Sequence, residues 1–302
     1  MQASVSEVVL PEAIEGNIIT DIGDYCFATK EMAVQGEVFE TVLGTAEEVH
    51  EVSGSYLTKI CLPDTVEHIG NFAFYNCTKL EEISFGKKLE RIGSDAFMNC
   101  LRLHRLIVRC DVSEKTGLKQ VLAQLPWEIT VSMEQQEREV ACVLYPEYFE
   151  TYDEISPAHI FGRNIQGEGF RARQCFVDGK IDFASYDSIF QKVCAEETAD
   201  VRIRLAVNRM RYPMDLKEQA KESYETYLTT NADDEAIYFL RRREKDILYF
   251  LCERQYLSKQ GVERLIRQAA EADWAEGAAS LMQWKAKFWK ETPKSRYSFD
   301  DF

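Results

Sequence analysis

The sequence predicts an α+β chain in two parts. A short repeat solenoid with a parallel β-sheet occupies residues 1–139, and a domain of paired antiparallel α-helices with an irregular start occupies 140–302. Three observations lead there. The phrase "IGNFAFYNC" at 69–77 recurs as "IGSDAFMNC" at 92–100, with six of nine letters shared. From residue 185 the apolar spacing becomes helical. Between them lies a charged run, "EQQERE" (134–139), with no core signal, and the boundary is placed near it.

The phrase is part of a longer unit. "LTKICLPDTVEHIGNFAFYNCTK" begins at 57, "LEEISFGKKLERIGSDAFMNCLR" at 80, and "LHRLIVRC" opens a third unit at 103, so the period is 23 twice (80 − 57 and 103 − 80). Self-similarity at about 20–29 residues marks a leucine-rich solenoid. Leu57, Ile60 and Leu62 are matched by Leu80, Ile83 and Phe85, then by Leu103, Leu106 and Val108. Each trio can line the inner face of a short strand. Ile69, Ala73 and Phe74 form a return segment, echoed by Ile92, Ala96 and Phe97. Gly70 and Gly93 mark a bend where a side chain is awkward. Cys77 and Cys100 recur at one offset and read as small buried hydrophobes. An earlier turn is visible: "VSEVVLP" (5–11) matches "LTKICLP", and "IGDYCF" (22–27) matches "IGNFAF". An insertion follows at about 28–56, where "VFETVLG" and "EEVHEV" suggest a hairpin or irregular strands.

These residues resemble the bacterial BspA-like leucine-rich repeat, whose pattern is roughly L-x-x-I-x-L-P … I-G-x-x-A-F-x-x-C. The resemblance covers residues 57–108, extends in part to 5–27, and ends near 110. It implies a curved leucine-rich-repeat solenoid with its sheet on the concave side, and binding or scaffolding of a protein partner rather than catalysis. Many relatives are surface proteins, which makes a cell-surface adhesin one alternative. This chain departs from them in its few repeats and in a start, "MQASVSEVVLPEAIEG", that does not read as a secretion signal.

If the apolar trios point inward, the residues between them form the concave face. One column reads Glu7, Lys59, Glu82, Arg105; its alternating signs suit a self-paired ladder. The other reads Val9, Cys61, Ser84, Ile107, a mild strip suited to docking, either of a partner or of the chain's own helices. Val9, Lys59, Cys61, Glu82, Ser84, Arg105 and Ile107 are therefore the candidate partner-binding residues.

Beyond the repeats, "SEKTGLKQVLAQL" (113–125) reads as a capping helix with Ser113 as its N-cap and Pro126 as its stop, and "WEITVSM" as a last, irregular rung. In "GRNIQGEGFRARQCF", Arg163, Arg171 and Arg173 surround Gly167 and Gly169, an alternative site for a small anion. The plainer reading is a turn followed by an alternating strand, "FRARQCFV". Then come helical segments from "SYDSIFQKVCAEE" onward, with Asp215 and Glu218 as a capping box. Their pairing is similar, at fold level only, to ankyrin-type hairpins, without the T-P-L-H signature. The tail "ETPKSRYSFDDF" is polar with three aromatics, suited to docking on the body or on a partner.

Composition narrows the function. The chain has 302 residues and a net charge of −15; residues 1–110 hold 9 bases and 17 acids (−8), the rest 27 and 34 (−7). Both parts repel a phosphate backbone, so nucleic acid is not an expected partner. No apolar run spans a bilayer, and no membrane partner is expected. Nine cysteines without a C-x-x-C read as free thiols in a reducing cytoplasm. No metal, cofactor or catalytic residue is expected, since H-E-x-x-H, G-x-S-x-G and P-loop motifs are lacking. Of the four histidines, His50, His68, His104 and His159, His68 and His104 read as structural or surface residues; His159 alone lies near the irregular arginine segment, and spacing does not support a Cys175/His159 nucleophile pair.

Overall fold

The computed structural model describes residues 2–3, 6–28, 50–51, 54–155 and 160–289. Most of the insertion read at 28–56, His159 and the tail at 291–302 lie outside the described residues. The chain forms two compact units, Met1–Glu197 and Thr198–Phe302.

The first unit is built on one six-stranded sheet. Its strands are β1 (Glu7–Val9), β2 (Lys59–Cys61), β3 (Glu82–Gly86), β4 (Arg105–Arg109), β5 (Ile129–Gln135) and β6 (Arg138–Tyr145). β1 to β5 lie parallel in chain order, and β6 returns antiparallel beside β5. The rung expected to be irregular, β5, keeps full register with β4, Arg105 opposite Thr130 through Arg109 opposite Glu134. The charged run 134–139 contains the β5–β6 turn, where Gln136 and Glu137 take φ of 51° and 61°. Positive φ at both central residues matches the twist of a tight hairpin. A second parallel ribbon, Asp21–Ile22, His68–Ile69 and Arg91–Ile92, stacks the return segments. Together they make a solenoid of about 3 turns over residues 59–134.

Each turn feeds the same positions into the core. Leu57, Ile60, Leu62, Leu80, Ile83, Phe85, Leu103, Leu106 and Val108 are buried. Phe27, Phe74 and Phe97 stack face to face at 5.0 and 5.6 Å. The recurring cysteines do more than fill space. Cys77 Sγ donates to the Phe27 carbonyl at 3.2 Å, and Cys100 Sγ to that of Phe74 at 3.1 Å, so each thiol ties its turn to the previous one.

The glycines need a corrected reason. The left-handed bend falls not on them but two residues later, at Tyr25, Phe72 and Asp95 (φ 55°, 52° and 53°). Gly70 and Gly93 are required by close stacking instead. A Cβ at Gly70 would meet the Asp24 nitrogen at 2.6 Å, and one at Gly93 the Asn71 nitrogen at 2.5 Å. Gly23, in the first turn, would meet nothing within 4 Å.

The capping helix is shorter than its sequence suggests. α1 spans Leu118–Leu122, and Ser113 bonds Asp111 through its backbone nitrogen (2.8 Å) and hydroxyl (2.6 Å) rather than capping a helix. Just after α1, the Gln124 amide substitutes for a further turn. Its oxygen accepts from the Ala96 nitrogen (2.9 Å), and its nitrogen donates to the Gly93 carbonyl (2.8 Å).

The unit continues with an antiparallel hairpin, β7 (Phe149–Ile155) and β8 (Ile160–Gln166). The expected strand "FRARQCFV" is instead a helical turn, α2 (Gly169–Ala172), followed by a small hairpin, Phe176–Val177 with Lys180–Ile181. α3 (Phe183–Ser188), capped by Asp182, and α4 (Phe190–Glu196) complete it.

The second unit holds α5 (Ala199–Arg211), α6 (Glu218–Glu235), α7 (Ile237–Arg241), α8 (Lys245–Glu253), α9 (Lys259–Glu271) and α10 (Ala275–Phe288). α5 packs on α6, and α10 on α9 and α8. Thr198 and Ser258 cap α5 and α9. The expected capping box does not form: Asp215 has φ of 49°, and α6 starts without a side-chain cap. The turn before α6 is held from within by Arg209, fully buried, which donates to the carbonyls of Tyr212 (3.1 Å) and Met214 (2.9 Å). Asp233 of α6 accepts from the Ser258 nitrogen at 2.8 Å, seating α9 on α6.

Candidate interaction surface

The alternation within β1–β4 fixes which residues face outward, and the register aligns them. Glu7, Lys59, Glu82 and Arg105 are direct neighbours on successive strands, as are Val9, Cys61, Ser84 and Ile107.

The charged column is paired. Lys59 Nζ lies 2.9 Å from Glu7 Oε1, and Arg105 Nε lies 3.3 Å from Glu82 Oε2. All four side chains keep solvent contact, and exposed pairs contribute only about 0–1 kcal/mol. Arg105 also reaches Ser132 Oγ at 3.5 Å, which in turn donates to Glu139 at 2.5 Å, extending the ladder onto β5 and β6.

The mild column is partly covered, and by a residue the sequence did not single out. Arg109, at the end of β4, lays its guanidinium back across the sheet. It donates to Cys61 Sγ at 3.2 Å, to Ser84 Oγ, to the Leu62 carbonyl and to Asp64 Oδ1 at 2.9 Å. Gly86, opposite Arg109 in the register, packs closely on Asp64: a Cβ there would lie 2.8 Å from the Asp64 Cα. Val9 stays 76% exposed, Cys61 and Ile107 are half-buried and Ser84 is buried, so the strip is most open at the Val9 end. The nearest sequence signal for Arg109 was a lone arginine opposite a glycine one period earlier.

The three arginines of the alternative anion site are not brought to one point. Arg163 on β8 donates to Glu150 at 3.1 Å and lies over the Phe170 ring at 5.2 Å. Arg171 is bonded to Glu168 at 3.1 Å. Arg173 is buried and gives all its reach to backbone carbonyls: Leu125 (3.0 and 2.7 Å), Trp127 (2.6 Å), Pro146 (2.7 Å) and Gly169 (2.9 Å). Burial pulls its guanidinium down to about 10, against the nearby Tyr148, Tyr145 and Tyr186. An anion here would have to displace protein acceptors. Beside it, burial pushes the Glu168 carboxyl above its ordinary value, and the Cys175 thiol is pushed up to about 11, first by burial and then by Asp182 and Asp187.

Among the described residues no group of three His, Cys, Asp or Glu side chains is placed to hold a metal ion, and no helix is long and apolar enough to cross a membrane. All nine cysteines are free. Comparison with known proteins gives one match: residues 49–116 fit the family described as "BspA type Leucine rich repeat region (6 copies)". No curated protein and no solved structure matches the chain. Repeats of this family are typically non-catalytic and consistent with an interaction or scaffold role. Residues 49–116 thus match a leucine-rich repeat region of the BspA type, within a parallel-sheet solenoid that is followed by a helical C-terminal region.

Proposed function

We propose that this chain binds or scaffolds another protein, using its leucine-rich-repeat sheet and its helical surfaces, and catalyses no reaction. The observation that carries the reading is the register of the sheet. Successive turns present Lys59, Glu82 and Arg105 beside Cys61, Ser84 and Ile107 on one continuous face. Such a face is stiff, because each strand is tied to its neighbours, and a stiff surface loses little entropy on binding. Cys175, the one thiol considered as a nucleophile, is held protonated rather than activated. The anion-binding alternative at Arg163, Arg171 and Arg173 has less support, because each guanidinium already holds protein acceptors. A net charge of −15 argues for a protein partner over nucleic acid or an anionic membrane. Nine free thiols suit a reducing compartment such as the cytoplasm.

The test is site-directed photo-crosslinking in cells of the source organism. A crosslinking residue at Ile107, on the sheet face, is expected to capture a discrete protein. The same residue at Leu101, in an exposed turn outside the sheet, is expected not to. Equal capture at both positions, or none at Ile107, overturns the reading.

A further inference from the structure

The connections that leave β2, β3, β4 and β5 line a groove of about 410 Å³ along one edge of the sheet. The repeat builds it. Asp64, Lys87 and Cys110 sit one period apart, and the register of β4 with β5 brings Gln135 into the same row. Arg109, opposite Gly86 in the register, bends toward Asp64.

The charges in the groove divide into paired and unpaired. Arg109 is held by Asp64 at 2.8 Å and Lys87 by Glu114 at 2.6 Å. Asp111 accepts from Ser113 and from Gln135, the latter at 2.8 Å. Among the described residues the side chains of Glu134, Glu137 and Lys88, which also line the groove, have no such partner. The lining thus carries two unmatched carboxylates against one unmatched ammonium, which leaves the groove net acidic. Acidic peptides and phosphate backbones are disfavoured there by the same charge.

We propose, resting on the protein-binding reading above, that this groove receives a lysine or arginine side chain from an extended segment of the partner protein, with Glu134 and Glu137 as its acceptors. A cationic side chain gains charge-assisted hydrogen bonds from carboxylates that lack an internal donor. Lys88 opposes it and limits the affinity.

Fluorescence anisotropy on the full chain tests this with two labelled probes, an alternating lysine–glycine peptide and its glutamate–glycine counterpart. The lysine peptide is expected to bind, and to weaken as salt is added. The double variant E134Q/E137Q is expected to weaken it by about tenfold. Lys88→Gln is expected to tighten it. The variant E222Q/E271Q removes the same charge from exposed positions on α6 and α9 and is expected to change binding by less than about twofold. Equal losses in the two double variants would mean that only the general field of an acidic chain is felt, and would overturn the assignment. So would unchanged binding in E134Q/E137Q, or equal binding of the glutamate peptide. If crosslinking at Ile107 still captures a partner in those cases, the protein-binding reading stands and the groove assignment alone falls.

Discussion

Arg163, Arg171 and Arg173 share a charge and a stretch of sequence, yet their energetic roles differ because burial differs. Arg163 and Arg171 keep about half their side-chain exposure and pair with single carboxylates. Arg173 is buried and holds four carbonyls from three segments of chain. A lysine there could place three donors but not the planar fork, leaving buried carbonyls unmet. Arg173→Lys is therefore expected to cost about 2–4 kcal/mol, while Arg163→Ala and Arg171→Ala each cost less than about 1 kcal/mol. Urea midpoints of the three variants measure this; an Arg173→Lys protein as stable as Arg163→Ala would contradict it. None of this was legible in "GRNIQGEGFRARQCF", since burial is set by segments as distant as Leu125. The outward columns of the sheet were legible, because alternation along a strand needs no tertiary information. Arg109 was not, because its path depends on a rotamer that reaches past β3 to β2.

At the level of elements, stacking explains both what the sequence revealed and where it misled. Ile, Gly and Phe recur at fixed spacing in all three return segments, with Ala73 and Ala96 matched by Cys26 in the first, because each rests on a similar neighbour, so the period was visible without a structure. The reason for glycine was not, since bend and close approach leave the same letter in the sequence. The first turn separates them. Gly23 meets no previous turn, whereas Gly93 presses on Asn71 and Gly70. Gly93→Ala is expected to destabilise the solenoid by about 1–3 kcal/mol through overpacking, and Gly23→Ala to stay within about 0.5 kcal/mol. Thermal melting of both decides it, and equal losses would restore the bend as the cause. Caps were read less well. Ser113 and Asp215 have capping chemistry, but Ser113 spends its bonds on Asp111 and Asp215 occupies a left-handed turn. Local signals name residues able to cap; packing selects the ones that do. Gln124, which closes the return ribbon with both ends of its amide, carries no terminal signature in sequence.

At the scale of the molecule, the question is how much chain the solenoid needs to stand. A cut at residue 139, where the charged run lies, would strip β5 of its antiparallel neighbour and remove Ala141, Cys142, Val143, Leu144 and Tyr145, all buried. It would also remove Arg173 from the Leu125 and Trp127 carbonyls and the Tyr186 hydroxyl that donates to the Leu144 carbonyl. Each large buried side chain contributes about 1.5–3 kcal/mol, and a domain has only about 5–15 kcal/mol in hand. The losses reach that scale, and the newly bared edge of β5 invites aggregation. A cut after Glu197 severs none of these contacts, and the remaining segment keeps a core of its own, including Ile203, Leu205, Tyr224, Leu228, Phe239, Leu251, Leu265 and Leu281. Fragments 1–197 and 198–302 are each expected to be monodisperse and to melt in one cooperative transition, by size-exclusion chromatography and circular dichroism. Fragment 1–139 is expected to aggregate or to melt without a transition. A cooperative melt of 1–139 would show that the repeats and α1 suffice, and that β6 and the Arg173 knot are accessory to the fold.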